Sequence, residues 1–202
     1  LLCPKNGEKD KETGVYPACT VNGLNENILA TVNPRPDNTE VKFQVGDRII
    51  NTENNTEVQV WNGTTGTVVA IDQEGNMFVK LDSPIIDQAR TIDLNNPVYK
   101  DTVILDKDMV KKLRHAYALT VHKSQGSQYR RVVIVCLARD SFSLDRAMIY
   151  TAVTRTKAEC VVIGDLFAFG ESINRVRAKN TVLQLLSEND AANTTLLAEA
   201  GR

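Results

Sequence analysis

The sequence predicts an α/β domain interrupted by a small all-β barrel. Three observations carry that reading. Val132-Val133-Ile134-Val135-Cys136-Leu137 is a continuous apolar run, the mark of a strand buried on both faces. A shorter apolar run, Tyr117 to Val121, precedes it, with a polar loop containing one glycine between the two. Such strand–loop–strand spacing is how α/β sheets present ligand groups at their strand ends. Residues 41–106, by contrast, hold short strands separated by Asn-Gly and Glu-Gly turns at roughly ten-residue spacing, the pattern of a small barrel.

In chain order, Leu1-Leu2-Cys3-Pro4 reads as the tail of a strand and Lys5 to Gly14 as a charged loop. Val21 to Leu29 reads as a short helix, with Asn22 or Asn25 as its cap, stopped by Asn33-Pro34-Arg35-Pro36. Val45 to Asn51 is a glycine-led strand, Trp61 to Ile71 a turn and strand, and Asp72 to Asn76 a hairpin turn leading into Met77-Phe78-Val79-Lys80-Leu81. Pro84 to Asn96 closes the barrel, with Arg90 to Leu94 as a further strand. The α/β pattern resumes near Val103, with Lys107 to His115 as a short helix or linker. A helix over about Ser143–Lys157 follows, whose apolar positions are Leu144, Met148, Ala152 and Val153. A buried strand at 160–164 and a helix over about Phe167–Leu186 complete the domain. The parts are therefore 1–40 with 107–202 (the tail from about 187 frayed), and 41–106 as the insertion.

The chain has 202 residues and net charge −1, with 42% hydrophobic and 24% charged residues, ordinary for a globular protein. No stretch approaches the ~20 apolar residues of a membrane span, and no leader resembles a signal peptide. Cys3, Cys19, Cys136 and Cys160 form no C-x-x-C pair, and with only His115 and His122 present no zinc spacing arises; no metal site is expected. The cysteines read as free thiols of a reducing cytoplasm, with Cys136 and Cys160 buried in apolar runs. The chain begins Leu-Leu-Cys-Pro without Met and reads as a piece of something longer. Lys111 to Arg131 holds six Lys/Arg and no Asp or Glu, a local positive field.

Thr120-Val121-His122-Lys123-Ser124-Gln125-Gly126-Ser127-Gln128-Tyr129 resembles motif V of superfamily 1 helicases, and in particular the RecD-like branch, whose pattern is T-V-H-K-S-Q-G-S-E-F/Y. Tyr150-Thr151-Ala152-Val153-Thr154-Arg155-Thr156-Lys157 resembles motif VI, Y-T-A-[IL]-T-R-A-K. Val45-Gly46-Asp47-Arg48-Ile49 with the Asn62-Gly63 turn and Gly66-Thr67-Val68-Val69 is similar to the SH3-like insertion of that branch. The resemblance implies a RecA-like, parallel-sheet second motor domain carrying an SH3-like barrel, in the RecD/TraA group of UvrD-like helicase C-terminal domains.

That resemblance also implies roles. Arg155 is the arginine finger that meets charge on the γ-phosphate, for which a guanidinium fork is suited; read on spacing alone it is a surface arginine. Gln125, Gly126 and Gln128 join Arg155 in nucleotide binding, Gly126 because a residue without Cβ lets backbone approach a phosphate. Gln128 stands where the family usually has Glu, and Thr156 where it has Ala. Thr120, His122, Lys123 and Ser124 are candidates for gripping single-stranded DNA, since hydroxyl, imidazole and ammonium suit a backbone grip; His122 as a general base or a structural histidine are the other readings. His115 lacks motif support and reads as solvated. Trp61 reads either as a core anchor or as a stacking platform.

No G-x-x-x-x-G-K-[ST] occurs, and Gly7, Gly14 and Gly23 lack the following lysine and hydroxyl. Half an ATP site is therefore expected. ATP and Mg²⁺ belong to a full-length parent whose N-terminal RecA-like domain holds the metal, and this piece alone is expected to be inactive. The implied parent is a 5′-to-3′ DNA helicase acting on single-stranded DNA, in repair, recombination or transfer. The alternatives are the helicase part of a conjugative relaxase and a non-catalytic DNA-binding or adaptor module.

Overall fold

The structure, a computed structural model, describes residues 1–36, 41–83 and 101–177. Two sheets organise it. The strands β1 (Leu2–Cys3), β7 (Leu119–Thr120), β8 (Tyr129–Cys136) and β9 (Thr156–Gly164) form a parallel sheet in the order β7-β1-β8-β9. The strands β2 (Arg48–Asn51), β3 (Thr65–Ile71), β4 (Met77–Leu81), β5 (Thr102–Leu105) and β6 (Leu113–His115) form an antiparallel sheet in the order β5-β4-β3-β2-β6. The helices are α1 (Val21–Val32), α2 (Lys107–Lys111), α3 (Arg146–Val153) and α4 (Leu166–Asn174). The α/β class with a separate antiparallel sheet is thus the fold the sequence predicts.

The apolar run 132–137 becomes β8, central in its sheet, with Val132, Ile134, Val135 and Cys136 buried. The Asp72–Asn76 turn joins β3 to β4 as expected. The chain does not return to the parallel sheet near Val103. β5 pairs with β4, and β6 pairs with β2 through Ile49↔His115 and Asn51↔Leu113. Leu105 and Leu113 fill the antiparallel core with Phe43, Ile49, Val60, Val68, Met77, Val79 and Val103. The predicted strand Arg90–Leu94, the closure by Pro84–Asn96 and the last part of the second helix lie outside the described residues.

Several local expectations are corrected. The cap of α1 is Thr20, whose hydroxyl accepts from Gly23 N, and not Asn22 or Asn25. Those two asparagines bond elsewhere: Asn22 donates to Gly7 O, and the buried Asn25 stitches α1 to the Tyr117–Ala118 backbone through both amide atoms. The helix expected over 143–157 is only α3. A 3₁₀ turn, Ala138–Ser143, precedes it, and its cap is the Asp145 carboxylate on Met148 N at 2.8 Å. The β-branched Val153 and Thr154 favour its end, and β9 takes over at Thr156. Val153 is exposed, so the buried face is Ile149 and Ala152.

β9 is also not the buried strand expected. Among the described residues it has a strand neighbour on one side only, Cys160 is exposed, and Val161 and Ile163 are 40% and 55% exposed. A run of apolar residues reports hydrophobicity and not position, and an edge strand can carry the same run. Trp61 is 49% exposed and therefore not the core anchor; the neighbouring Val60 is.

The sheets meet at β2, whose alternation sends Ile49 into the antiparallel core and Ile50 into the parallel one with Leu2, Leu119, Val121, Val132, Ile134 and Ala152. Beside it lies a buried carboxylate, Asp47. It accepts from Asn33 Nδ2 (2.8 Å), Arg35 Nη1 (3.2 Å) and Nη2, Gln44 N (2.9 Å) and Tyr117 Oη (3.3 Å), with His115 Nε2 3.3 Å away. Burial works against the Asp47 charge, yet these bonds together with the Arg35 charge hold its pKa below the usual carboxylate value. His115 is not solvated as expected. Burial outweighs the Asp47 charge and lowers its pKa, so the ring is neutral at pH 7.

Candidate nucleotide and nucleic-acid site

The connection from β7 to β8 is a tight turn made by its own residues. After Thr120 the chain enters a 3₁₀ turn, His122–Ser124. The Thr120 hydroxyl accepts from Lys123 N at 3.3 Å, and the Ser124 hydroxyl donates to Val121 O at 2.7 Å. Ser127 N closes back on Ser124 O at 3.1 Å. Gly126 has φ +83°, a conformation costly for residues with Cβ, while a Cβ there would meet nothing within 4 Å. The glycine is required by the turn, and the space beside it is open.

This turn sorts the candidate residues by accessibility. Thr120 and Ser124 are buried and hold the turn together. His122, Gln125, Gly126 and Gln128 are exposed, and Lys123 is half-buried. His122 and Gln125 open onto a cleft of about 680 Å³ along α3, with Asp145, Arg146, Tyr150 and Thr151 on its walls. Lys123 turns the other way, into a groove shared with the N-terminal loop. The four residues grouped by motif thus do not share one surface. Sequence reasoning missed the cleft's far wall, because Arg146 and the 70%-exposed Tyr150 approach His122 only through the packing of α3.

Arg155 follows α3 and reaches back to the same loop. Its Nε donates to Thr151 O (3.2 Å), Nη1 to Ser127 O (3.4 Å) and Nη2 to Thr154 Oγ1 (3.3 Å), while its carbonyl accepts from Tyr129 N (2.8 Å). Every partner is neutral. Among the described residues no carboxylate offsets the guanidinium, which is therefore positioned yet electrostatically unmatched.

The positive block is weaker than its sequence suggests. Lys111 pairs with Asp108, Lys112 with Glu53 and Arg131 with Glu159. Among the described residues Arg114, Lys123 and Arg130 keep their charge without an ion pair.

Residues 115–163, which contain the turn, α3 and Arg155, match the UvrD-like helicase C-terminal domain. That segment is a UvrD-like helicase C-terminal domain. Similarity to curated relatives extends beyond it. The chain is 31% identical over 142 residues to RecBCD enzyme subunit RecD of Mycolicibacterium smegmatis, covering 70% of this chain and 22% of that protein. It is 29% identical over 164 residues to the ATP-dependent RecD2 DNA helicase of Deinococcus radiodurans, covering 79% and 20%. It is 30% identical over 165 residues to conjugal transfer protein TraA of Agrobacterium fabrum, covering 81% and 12%. The chain therefore spans 12% to 22% of the length of these three curated relatives. Among solved structures, Pif1 helicase from Bacteroides in complex with ADP-AlF3 and ssDNA aligns over 85% of this chain and 42% of its own at 20% identity, with a TM-score of 0.46. No helix among the described residues of this RecD-like segment is long and apolar enough to cross a membrane.

Proposed function

We propose that this chain is the second motor domain of an ATP-dependent 5′-to-3′ DNA helicase. Arg155 is its arginine finger, and the turn at 120–128 is part of its grip on single-stranded DNA. The observation that carries the reading is the state of Arg155: an oriented guanidinium with only neutral acceptors, at the edge of the loop 125–128. Such a group is fit to receive negative charge. The donor set suits a nucleotide triphosphate. The Arg155 fork suits phosphate oxygens, the exposed Gly126 backbone admits close approach, and the Gln125 and Gln128 amides can donate or accept. ATP with Mg²⁺ supplies the hydrolysable phosphoanhydride when bound, and a separate N-terminal RecA-like domain of the same parent holds the metal. His122 and Lys123 present the surface for a DNA backbone, while Thr120 and Ser124 hold the turn in shape. The chain alone does not turn over ATP in this reading, since it holds no phosphate-cradling G-x-x-x-x-G-K-[ST] loop.

The test is single-strand-stimulated ATPase of the full-length parent, wild type beside Arg155→Ala. The expected result is a fall of about 10³ in kcat with single-strand binding retained. Arg155→Lys keeps the charge without the fork and is expected to recover only part of the rate. Equal rates in wild type and Arg155→Ala overturn the finger and favour a DNA-binding or adaptor module. Unwinding of substrates with a 5′ or a 3′ overhang tests the polarity.

A further inference from the structure

Tyr129 ends the helicase turn, begins β8 and sits beside the antiparallel sheet. Its backbone holds the arginine: Tyr129 N donates to Arg155 O at 2.8 Å, and β8 and β9 meet at the Tyr129↔Thr156 pair. Its ring packs on the parallel core, and it lines one cavity, of about 250 Å³, together with Arg48 of β2. Its hydroxyl is buried and makes no hydrogen bond among the described residues. Resting on the reading of Arg155 as the finger, we propose that Tyr129 is a positioning residue for it. The hydroxyl closes on Asp82, beyond the end of β4, and so ties the setting of the finger to the antiparallel unit.

The acceptor is ready for this bond. Arg48 donates through Nη1 to Asp82 Oδ1 (2.7 Å) and Thr67 Oγ1 (2.9 Å), and through Nη2 to Asp82 Oδ2. Oδ2 also accepts from the Thr65 hydroxyl at 2.5 Å. A carboxylate oxygen has two lone pairs, so Oδ1 keeps one for a further donor. Burial works against the Asp82 charge, yet the bonds from Arg48 and Thr65 hold its pKa below the usual carboxylate value. The acceptor is therefore anionic at pH 7, and a hydroxyl gains more from an ionised partner than from a neutral one.

The donor is equally prepared. Burial pushes the Tyr129 pKa up; the Asp82 charge adds to the rise, while Arg48 and Arg155 oppose it. The phenol thus keeps its proton, within electrostatic reach of both the Arg48–Asp82 pair and the finger. Ser127 lies close enough to lower the same pKa, without meeting hydrogen-bond geometry, and its carbonyl accepts from Arg155 Nη1. One ring therefore spans from the finger's loop to the antiparallel unit. The β8–β9 register shifts between Tyr129 and Arg131, a local break that lets this corner adjust without moving the rest of the ladder. Buried hydroxyls without a partner are rare, and a small shift between the two sheets supplies the partner here.

The experiment is single-strand-stimulated ATPase of the full-length parent, read beside its melting temperature. Tyr129→Phe removes one oxygen that has no partner, so the melting temperature is expected to hold or rise. Its kcat is expected to fall about three- to tenfold, the worth of one hydrogen bond, with the KM for ATP unchanged. Asp82→Asn is expected to lower kcat by a similar factor, and the double variant to fall no further than either single one. Wild-type kcat in Tyr129→Phe, beside a large loss in Arg155→Ala, overturns the link and leaves the finger standing. Wild-type kcat in Arg155→Ala removes the finger, and the link with it. A rate loss that comes only with a lower melting temperature, or losses that multiply in the double variant, show separate structural roles and overturn the pairing.

Discussion

The two sheets solve the problem of burial in opposite ways. The antiparallel sheet closes on a single core in which nine apolar residues are fully buried. The parallel sheet divides its apolar residues among three smaller clusters and leaves the outer part of β9 facing solvent. The first unit is self-sufficient in its packing. The second carries the helicase segment and the unmatched arginine, and it keeps more of its apolar surface exposed. An open face and complete burial compete for the same residues, and here each unit has taken one side.

The sharpest way to break that contrast is to cut what joins the units. Asp47→Ala leaves Arg35 without its charge partner and removes the acceptor for Asn33, Gln44 N and Tyr117, so a loss of about 3–5 kcal/mol is expected in chemical denaturation. A loss below about 1 kcal/mol would mean that the carboxylate joins nothing. Next, Leu113→Ala opens the antiparallel core and is expected to cost about 2–5 kcal/mol. The same unfolding experiment on Ile163→Ala should show a change within about 0.5 kcal/mol, because that side chain is already half in water; a loss near that of Leu113→Ala would show the β9 face to be covered.

Acid sharpens the contrast further. Both Asp47 and His115 have folded pKa values below their ordinary ones, so each contributes stability that is present above its unfolded pKa and lost as pH falls. The loss should begin below about pH 6.5 from His115 and continue below about pH 4 from Asp47. A melting series from pH 8 to pH 3 should show both steps, and His115→Gln should remove the upper one. Gly126→Ala is expected to cost about 1–2 kcal/mol from its positive φ alone, since the added methyl meets nothing. A larger effect on nucleotide binding than on stability would place the ligand beside that glycine.

Much of this was legible in the sequence, for physical reasons that differ by element. β8 and the β3–β4 hairpin announce themselves because hydrophobic content and turn chemistry are local. β6 does not: Leu113 is one apolar residue between charged neighbours, and only its pairing with β2 makes it a strand. Asn22 and Asn25 were mistaken for caps because an asparagine that caps and one that bonds to a distant strand are the same letter. His115 was mistaken for a solvated residue because its partner Asp47 lies 68 residues away. For the candidate site, motif spacing singles out Arg155 and the 120–128 turn. It says nothing of which way a 3₁₀ turn points His122 and Lys123.

The pairing of β2 with β6 has a consequence for the history of such proteins. Ile49 and His115, at the outbound and homebound ends of the excursion, face each other as strand neighbours. A segment whose ends touch can be gained, lost or exchanged at a single point in a gene without moving the strands on either side. The antiparallel unit is thus one contiguous stretch of chain that leaves and re-enters at neighbouring strands, so a change of its length or content need not move the strands on either side.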